Sequence, residues 1–167
     1  MRDQVRHTTL QGEMEAASFA PFGDVIALKP DADKMINQNL CGRHHDLAKL
    51  AFDDGQAGIS LFDAVPRQLP YALDMMERHP LGSQAFIPLH EHSFLVIVAR
   101  DIKGRPGQPL AFMTAPRTGI NIYKNTWHGV LTPLKAPGIF AVVDRIGTGS
   151  NLEEHWFDEG YMISDSE

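Results

Sequence analysis

Proline and glycine interrupt this chain so often that no long helix fits between them. The 167 residues include 11 prolines and 14 glycines, and each is a point where a helix is broken or weakened. The stretches left between them are short, rich in Val, Ile, Leu and Phe, and bounded by turn residues at near-even spacing. This pattern predicts strands at 24–28, 58–64, 73–79, 84–89, 94–100, 110–114, 119–123, 127–131 and 139–144, and so an all-β sandwich or barrel. Two short helices are expected. One spans 12–19, rich in Glu and Ala and stopped before Pro21; the other spans 45–52, led by Asp46 and closed by Asp53-Asp54-Gly55. Residues 101–109 read as a surface loop and 164–167 as a solvated tail.

The length suits one domain, taken as 1–167, with a core of its own. A formal charge of −6 and the lack of any Lys/Arg cluster argue against nucleic acid or an anionic membrane as partner. No apolar run approaches the roughly 20 residues that span a bilayer, and Met1-Arg2-Asp3-Gln4 lacks the apolar stretch of a signal peptide. Cys41 is the only cysteine, which excludes an intrachain disulfide and fits a reducing compartment. A cytoplasmic location is therefore expected. Cys41 reads as a small structural thiol or as a nucleophile, and its neighbours Leu40 and Gly42 suggest no activating environment.

The most informative motif is Glu77-Arg78-His79-Pro80-Leu81-Gly82-Ser83-Gln84, answered downstream by Trp127-His128. Read as strand, turn and strand, it puts Glu77 and His79 on one face together with Tyr71, Leu73 and Met75. Gln84 opens the returning strand, and His128 arrives from a later one. A carboxylate, an amide oxygen and two imidazoles converging at a barrel mouth would suit a divalent transition metal. The same spacing is also what four unconnected polar strand ends would show. A separate inference concerns Phe94-Leu95-Val96-Ile97-Val98, which is apolar on both faces. Its outer side needs a cover, and a second subunit is the simplest one, so a homodimer is expected.

Glu77-Arg78-His79-Pro80, Gln84-Ala85-Phe86-Ile87-Pro88, Asn125-Thr126-Trp127-His128 and Asp144-Arg145 together resemble the ureidoglycolate lyase family of allantoin degradation. Ile36-Asn37 and Arg43-His44-His45-Asp46-Leu47-Ala48 extend the likeness, so that it covers residues 36 to 145. The resemblance implies a jelly-roll-like, cupin-type β-barrel with a few short helices, usually a homodimer, that splits ureidoglycolate into urea and glyoxylate. It also implies a divalent metal, Ni(II). The wider cupin pattern is His-x-His, then Glu, then a later His; Glu77, His79, Gln84 and His128 fall at those positions, so two of the four ligand types depart from it.

Such chemistry needs a group to move a proton and a cation to hold a carboxylate. His128 and Glu77 are candidates for ligand or for acid and base. Without a metal, Glu77 would be the general base and His79 its partner. Lys124, Arg145 and Arg43 are the candidate substrate-binding cations, Arg being suited to a bidentate carboxylate; each also reads as a solvated or ion-paired residue. His90-Glu91-His92 is the one literal His-x-His, but the apolar run after it offers no ligating carboxylate. His45 reads as closing the pocket or as packing beneath a helix start, Trp127 as a core anchor, and His7 and His155 as surface residues. Two other readings stay open: another metallo-cupin enzyme, such as an isomerase or dioxygenase, and a non-catalytic cupin that binds a small carboxylate.

Overall fold

The structure, a computed structural model, describes residues 5–165. In chain order its elements are β1 (Arg6–Glu13), α1 (Ala16–Phe19), β2 (Gly23–Ile26), β3 (Lys34–Ile36), β4 (Cys41–Arg43), β5 (Gln56–Asp63), β6 (Tyr71–Arg78), β7 (Gln84–Pro88) and β8 (Phe94–Ala99). They continue with β9 (Asp101–Ile102), β10 (Arg105–Pro106), β11 (Leu110–Met113), β12 (Gly119–Ile122), β13 (Trp127–His128), β14 (Thr132–Pro133), β15 (Ile139–Ile146) and β16 (Glu153–Ser164).

Two sheets carry the fold. The larger has the order β11-β1-β16-β6-β13-β8-β14, and an additional pairing of β11 with β8 closes it into a ring. The second, β2-β12-β7-β15-β5, packs against the ring's outer side. Strand β8 lies between two cores, which explains its composition. Phe94, Val96 and Val98 pack with Phe86, Ile120, Phe140 and Val142 of the second sheet. The alternate residues, Leu95, Ile97 and Ala99, face into the ring with Leu73, Trp127 and Ile163. The cover expected from a second subunit is thus supplied by the chain itself.

Sequence and structure part company where tertiary partners override local pattern. The helix expected at 12–19 is a single turn, Ala16–Phe19, because Gly12 and Glu13 complete β1, which pairs in parallel with β16 and β11. The 12-residue β16 has no counterpart among the expected strands. It takes five steps, Trp156 to Tyr161, where its partner β6 takes two, Met75 to Leu73, and that bulge breaks the alternation that marks a strand. Opposite it, β6 changes face: Leu73 and Met76 both join the ring core although they stand an odd number of positions apart. Glu77 therefore faces away from the Tyr71–Leu73 side rather than continuing it. The loop expected at 101–109 holds the small β9–β10 hairpin, and β3 and β4 form another. Ser164 ends β16, and the last two residues of the expected tail lie outside the described residues.

No helix forms at 45–52, because the polar groups of that backbone find partners elsewhere. The Lys49 N–H donates to Asp24 Oδ2 at 2.8 Å and the Lys49 carbonyl accepts from Asn121 Nδ2 at 3.0 Å. The Ala51 N–H donates to Ser83 Oγ at 2.9 Å. Backbone groups bonded this way have nothing to gain from an i to i−4 ladder. Asp24 is the hub: it also accepts from Tyr123 Oη at 2.6 Å and Asn121 Nδ2 at 3.1 Å.

Burial alone would raise the Asp24 pKa. The hydrogen bonds from Tyr123, Lys49 and Asn121, with the Lys49 charge, outweigh it and hold the carboxyl below its ordinary value. The same contact, led by the hydrogen bond to Asp24, pushes the Tyr123 phenol up to about 12. A carboxyl depressed in the folded state contributes stability above its unfolded pKa, and that contribution is lost as pH falls through the folded value. Tyr123→Phe should therefore be less stable than the parent protein near neutral pH. The gap should narrow once pH drops below about 4, as urea unfolding at about pH 7 and about pH 3 would show.

Candidate metal centre and active site

The site is built on β13, a strand of two residues. Trp127 pairs with Ala99 and His128 with Val98 on β8, while on the other side His128 pairs with Glu77 of β6. Side chains alternate along a strand, so Trp127 enters the ring core and His128 points to the seam between the two sheets. Trp127 is held there by its indole N–H, which donates to Asp101 Oδ1 at 2.9 Å, and by the Arg78 guanidinium 4.5 Å from its ring. His128 is 2% exposed and lies directly across from Glu77.

His79 follows the end of β6 and turns back toward the same point. Its Nε2 is 3.9 Å from Glu77 Oε1, and its ring centroid is 5.2 Å from that of His128. Each of Glu77, His79 and His128 offers one ligand atom, and these three atoms lie within 4.8 Å of one another. Gln84, 7% exposed at the start of β7, shares with Glu77 a cavity of about 430 Å³ walled by Phe62, Phe86, Val130 and Leu131.

The hydrogen bonds around the cluster select which atoms stay available. His79 Nδ1 lies 2.8 Å from the Asn151 carbonyl and His128 Nδ1 lies 2.9 Å from the Gly129 carbonyl. A carbonyl only accepts, so the neutral form of each imidazole holds its proton on Nδ1 and presents a bare Nε2 lone pair. Both Nε2 atoms and Gln84 Oε1 are buried without a hydrogen-bond partner. Burial raises the Glu77 pKa, an effect offset in part by His79. Burial, with the proximity of His79, lowers that of His128 to about 4. Three orphaned lone pairs and one desolvated carboxylate form a set that a divalent cation would satisfy, and nitrogen and oxygen donors of this kind suit a first-row transition metal. The residues fit a metal.

The cations named from the sequence sit elsewhere. Lys124 Nζ pairs with Asp53 Oδ2 at 2.6 Å and is about half exposed. The Arg145 guanidinium donates to the carbonyls of Asp53 at 2.6 Å, Asp54 at 3.1 Å and Thr148 at 2.9 Å. Arg43 is exposed on the β3–β4 hairpin. The cation lining the cavity is Arg67, which sequence reasoning does not single out; nothing in its surroundings, Pro66 and Gln68, marks it. His45 is exposed, with its N–H donating to Asp33 Oδ2 at 2.8 Å. His90 packs edge-on against Phe140 at 4.8 Å and stacks on His92. His155, expected at the surface, is half-buried against Trp127 and Phe157, because the unforeseen β16 carries it there. Cys41, read as structural, is exposed on β4.

A closed β-ring with a second sheet against it, almost no helix, and an imidazole–carboxylate group at the seam define a cupin-type β-barrel protein. The chain belongs to the ureidoglycolate lyase family. The model of that family, described as Ureidoglycolate lyase, matches residues 7–164. A ureidoglycolate lyase of Rhodobacter capsulatus is 60% identical over 143 residues, covering 85% of this chain and 89% of the relative. Ureidoglycolate lyase 2 of Rhizobium meliloti is 51% identical over 151 residues, covering 88% and 91%. A ureidoglycolate lyase of Mesorhizobium japonicum is 51% identical over 148 residues, covering 87% and 91%.

The tautomers offer a direct check. In metal-free protein near neutral pH, long-range ¹H–¹⁵N correlation spectra should show His128 as an Nδ1-protonated neutral ring, and the neutral form of His79 as the same tautomer. A neutral ring protonated on Nε2 at either position would contradict the lone-pair arrangement described above.

Proposed function

We propose that this chain is a lyase that cleaves ureidoglycolate to glyoxylate and urea, a step of allantoin and purine catabolism. Family membership, with Glu77, His79 and His128 gathered beside a small cavity, is the observation that carries this reading. Glu77, His79, Gln84 and His128 would hold a divalent ion, Ni(II) by the family resemblance. When bound, that ion would supply positive charge that acidifies a coordinated hydroxyl.

Ureidoglycolate carries a hydroxyl, a carboxylate and a urea nitrogen on one carbon. In the cleavage the hydroxyl loses its proton, its oxygen forms the carbonyl of glyoxylate, and the C–N bond breaks with its electron pair going to nitrogen. A proton delivered to that nitrogen completes urea, and no water is consumed. Glu77 is placed to move the proton: burial raises its pKa, which makes the carboxylate a stronger base than a solvated one. Without the ion, His79 Nε2 beside it can share that proton. Phe62, Phe86, Val130 and Leu131 give the cavity an apolar wall beside the reacting carbon. Arg67, rather than Lys124, Arg43 or Arg145, takes the substrate carboxylate, since it is the cation on the cavity wall.

Incubation with ureidoglycolate should release glyoxylate and urea in equal amounts, and ammonia appearing ahead of urea would replace the lyase with an amidohydrolase. Chelator-treated protein should lose turnover and regain it with nickel. Glu77→Gln should lower kcat by about 10²–10⁴-fold, the range expected for a positioned proton-transfer group.

We also propose that the whole chain acts as one domain, supported by the pairing of its first and last strands, and that it works in the cytoplasm, supported by its single unpaired cysteine. No helix among the described residues is long and apolar enough to cross a membrane. A homodimer completes this reading, with a different surface from the one β8 suggested. Edge strand β5 leaves Ile59 78% and Leu61 69% exposed, and Ala141 joins Leu61 to Ile87 across the same sheet face. Light scattering should give twice the 18.6 kDa chain mass. Ile59→Lys combined with Leu61→Glu should return it to the single-chain value; a monomeric parent protein would remove the dimer.

A further inference from the structure

We infer that Asp144 is a positioning residue whose task is to turn the Gln84 side-chain amide so that its oxygen, and not its nitrogen, faces the metal group. The inference rests on the metal reading of the site and deepens it.

The two ends of a glutamine amide are nearly equal in size and opposite in chemistry. The oxygen has lone pairs to offer a cation, whereas the NH₂ presents two partly positive hydrogens and no donor pair. A glutamine in a ligand position is therefore useful in one of its two flips only, and something must choose between them. The carboxylates of Glu77 and of a substrate do not make this choice, because both are drawn to the cation themselves.

Asp144 makes it. Its Oδ2 lies 3.2 Å from Gln84 Nε2, and an ionised carboxylate accepts without donating. The flip that brings Nε2 to Asp144 satisfies both groups; the other would set the amide oxygen against the carboxylate. With Nε2 engaged, Oε1 is left buried and without a partner, on a side chain that lines the cavity shared with Glu77. The strands enforce the meeting: β15 pairs with β7 at Val143↔Ala85, so the next residue of β15 comes beside Gln84. The arrangement parallels the carbonyls of Asn151 and Gly129, which hold the two imidazoles in their ligating tautomer. Each of the three neutral ligands thus has one acceptor that selects its active form. It also accounts for the amide itself, since a carboxylate in place of the Gln84 amide would stand side by side with that of Asp144.

The test uses full-length, chelator-treated protein titrated with Co(II), read by its d–d absorption and by competition with a chromophoric chelator. Asp144→Asn can donate as well as accept and no longer enforces the flip. It should weaken Co(II) binding about 10–100-fold and change the absorption band. Gln84→Glu with Asp144→Asn has no flip to enforce, because both carboxylate oxygens are ligands and the asparagine amide can donate to one; it should recover affinity to within a few-fold of the parent. In a Gln84→Ala background, Asp144→Asn should leave Co(II) affinity nearly unchanged. The inference is overturned if Asp144→Asn binds Co(II) like the parent with the same band, if adding Gln84→Glu to Asp144→Asn brings no tighter binding, or if Asp144→Asn costs as much without Gln84 as with it. A parent protein that takes up neither Co(II) nor Ni(II) would overturn the metal reading itself, which is a distinguishable result.

Discussion

The ring closes through two residues, and the site exists because of how they alternate. Strand β13 is the link between β6 and β8. Trp127 serves the inside of the ring and His128 the seam outside it, so one short strand fixes the core and places an imidazole opposite Glu77. An indole with its N–H bonded to Asp101 and its face against Arg78 leaves the strand little room to shift register. A slip of one residue would exchange the two roles, sending tryptophan into the seam and histidine into an apolar core. The location of the candidate centre is in this sense a by-product of closing the barrel.

Burial gives the cluster its character. Unpaired polar atoms inside a protein cost roughly 1–3 kcal/mol each, and the site residues His79, His128 and Gln84 each carry one. A fold does not keep such a group for its own stability. Beside them lies a carboxylate whose charge burial disfavours, and a bound cation would give these groups the partner that the chain itself does not. The second sheet supplies what the ring cannot: Gln84 and Phe86 of β7 wall the cavity at the seam.

Much of this was written plainly in the chain. The short apolar segments between prolines and glycines correspond to strands of the two observed sheets, although the one expected at 127–131 is cut to the two residues of β13, and the motif from Glu77 with His128 carries the three residues that the fold gathers. What could not be read has particular causes. Strand β16 hid behind a bulge that disrupts its alternation, and with it went the burial of His155 and the switch of face in β6. Residues 45–52 have a helical composition, but Asp24, Asn121 and Ser83 bind their backbone in another shape. The role of a cation is invisible in one dimension: Lys124 and Arg145 flank site strands, yet Asp53 and three carbonyls hold them, while Arg67 reaches the cavity from a stretch without distinguishing features.

Arg145 has a consequence beyond its hydrogen bonds. A methyl group on Gly55, Gly82 or Gly147 would come within 2.9, 2.8 and 2.6 Å of its side chain, so three separate loops have given up their side chains to house one arginine, stem and guanidinium together. Gly82 stands two positions before Gln84, and Gly55 opens the way to β5. The socket therefore couples loops far apart in the chain to the position of a single cavity-facing amide. Bulk added to a loop remote from the substrate would be felt there as a change in where that amide sits.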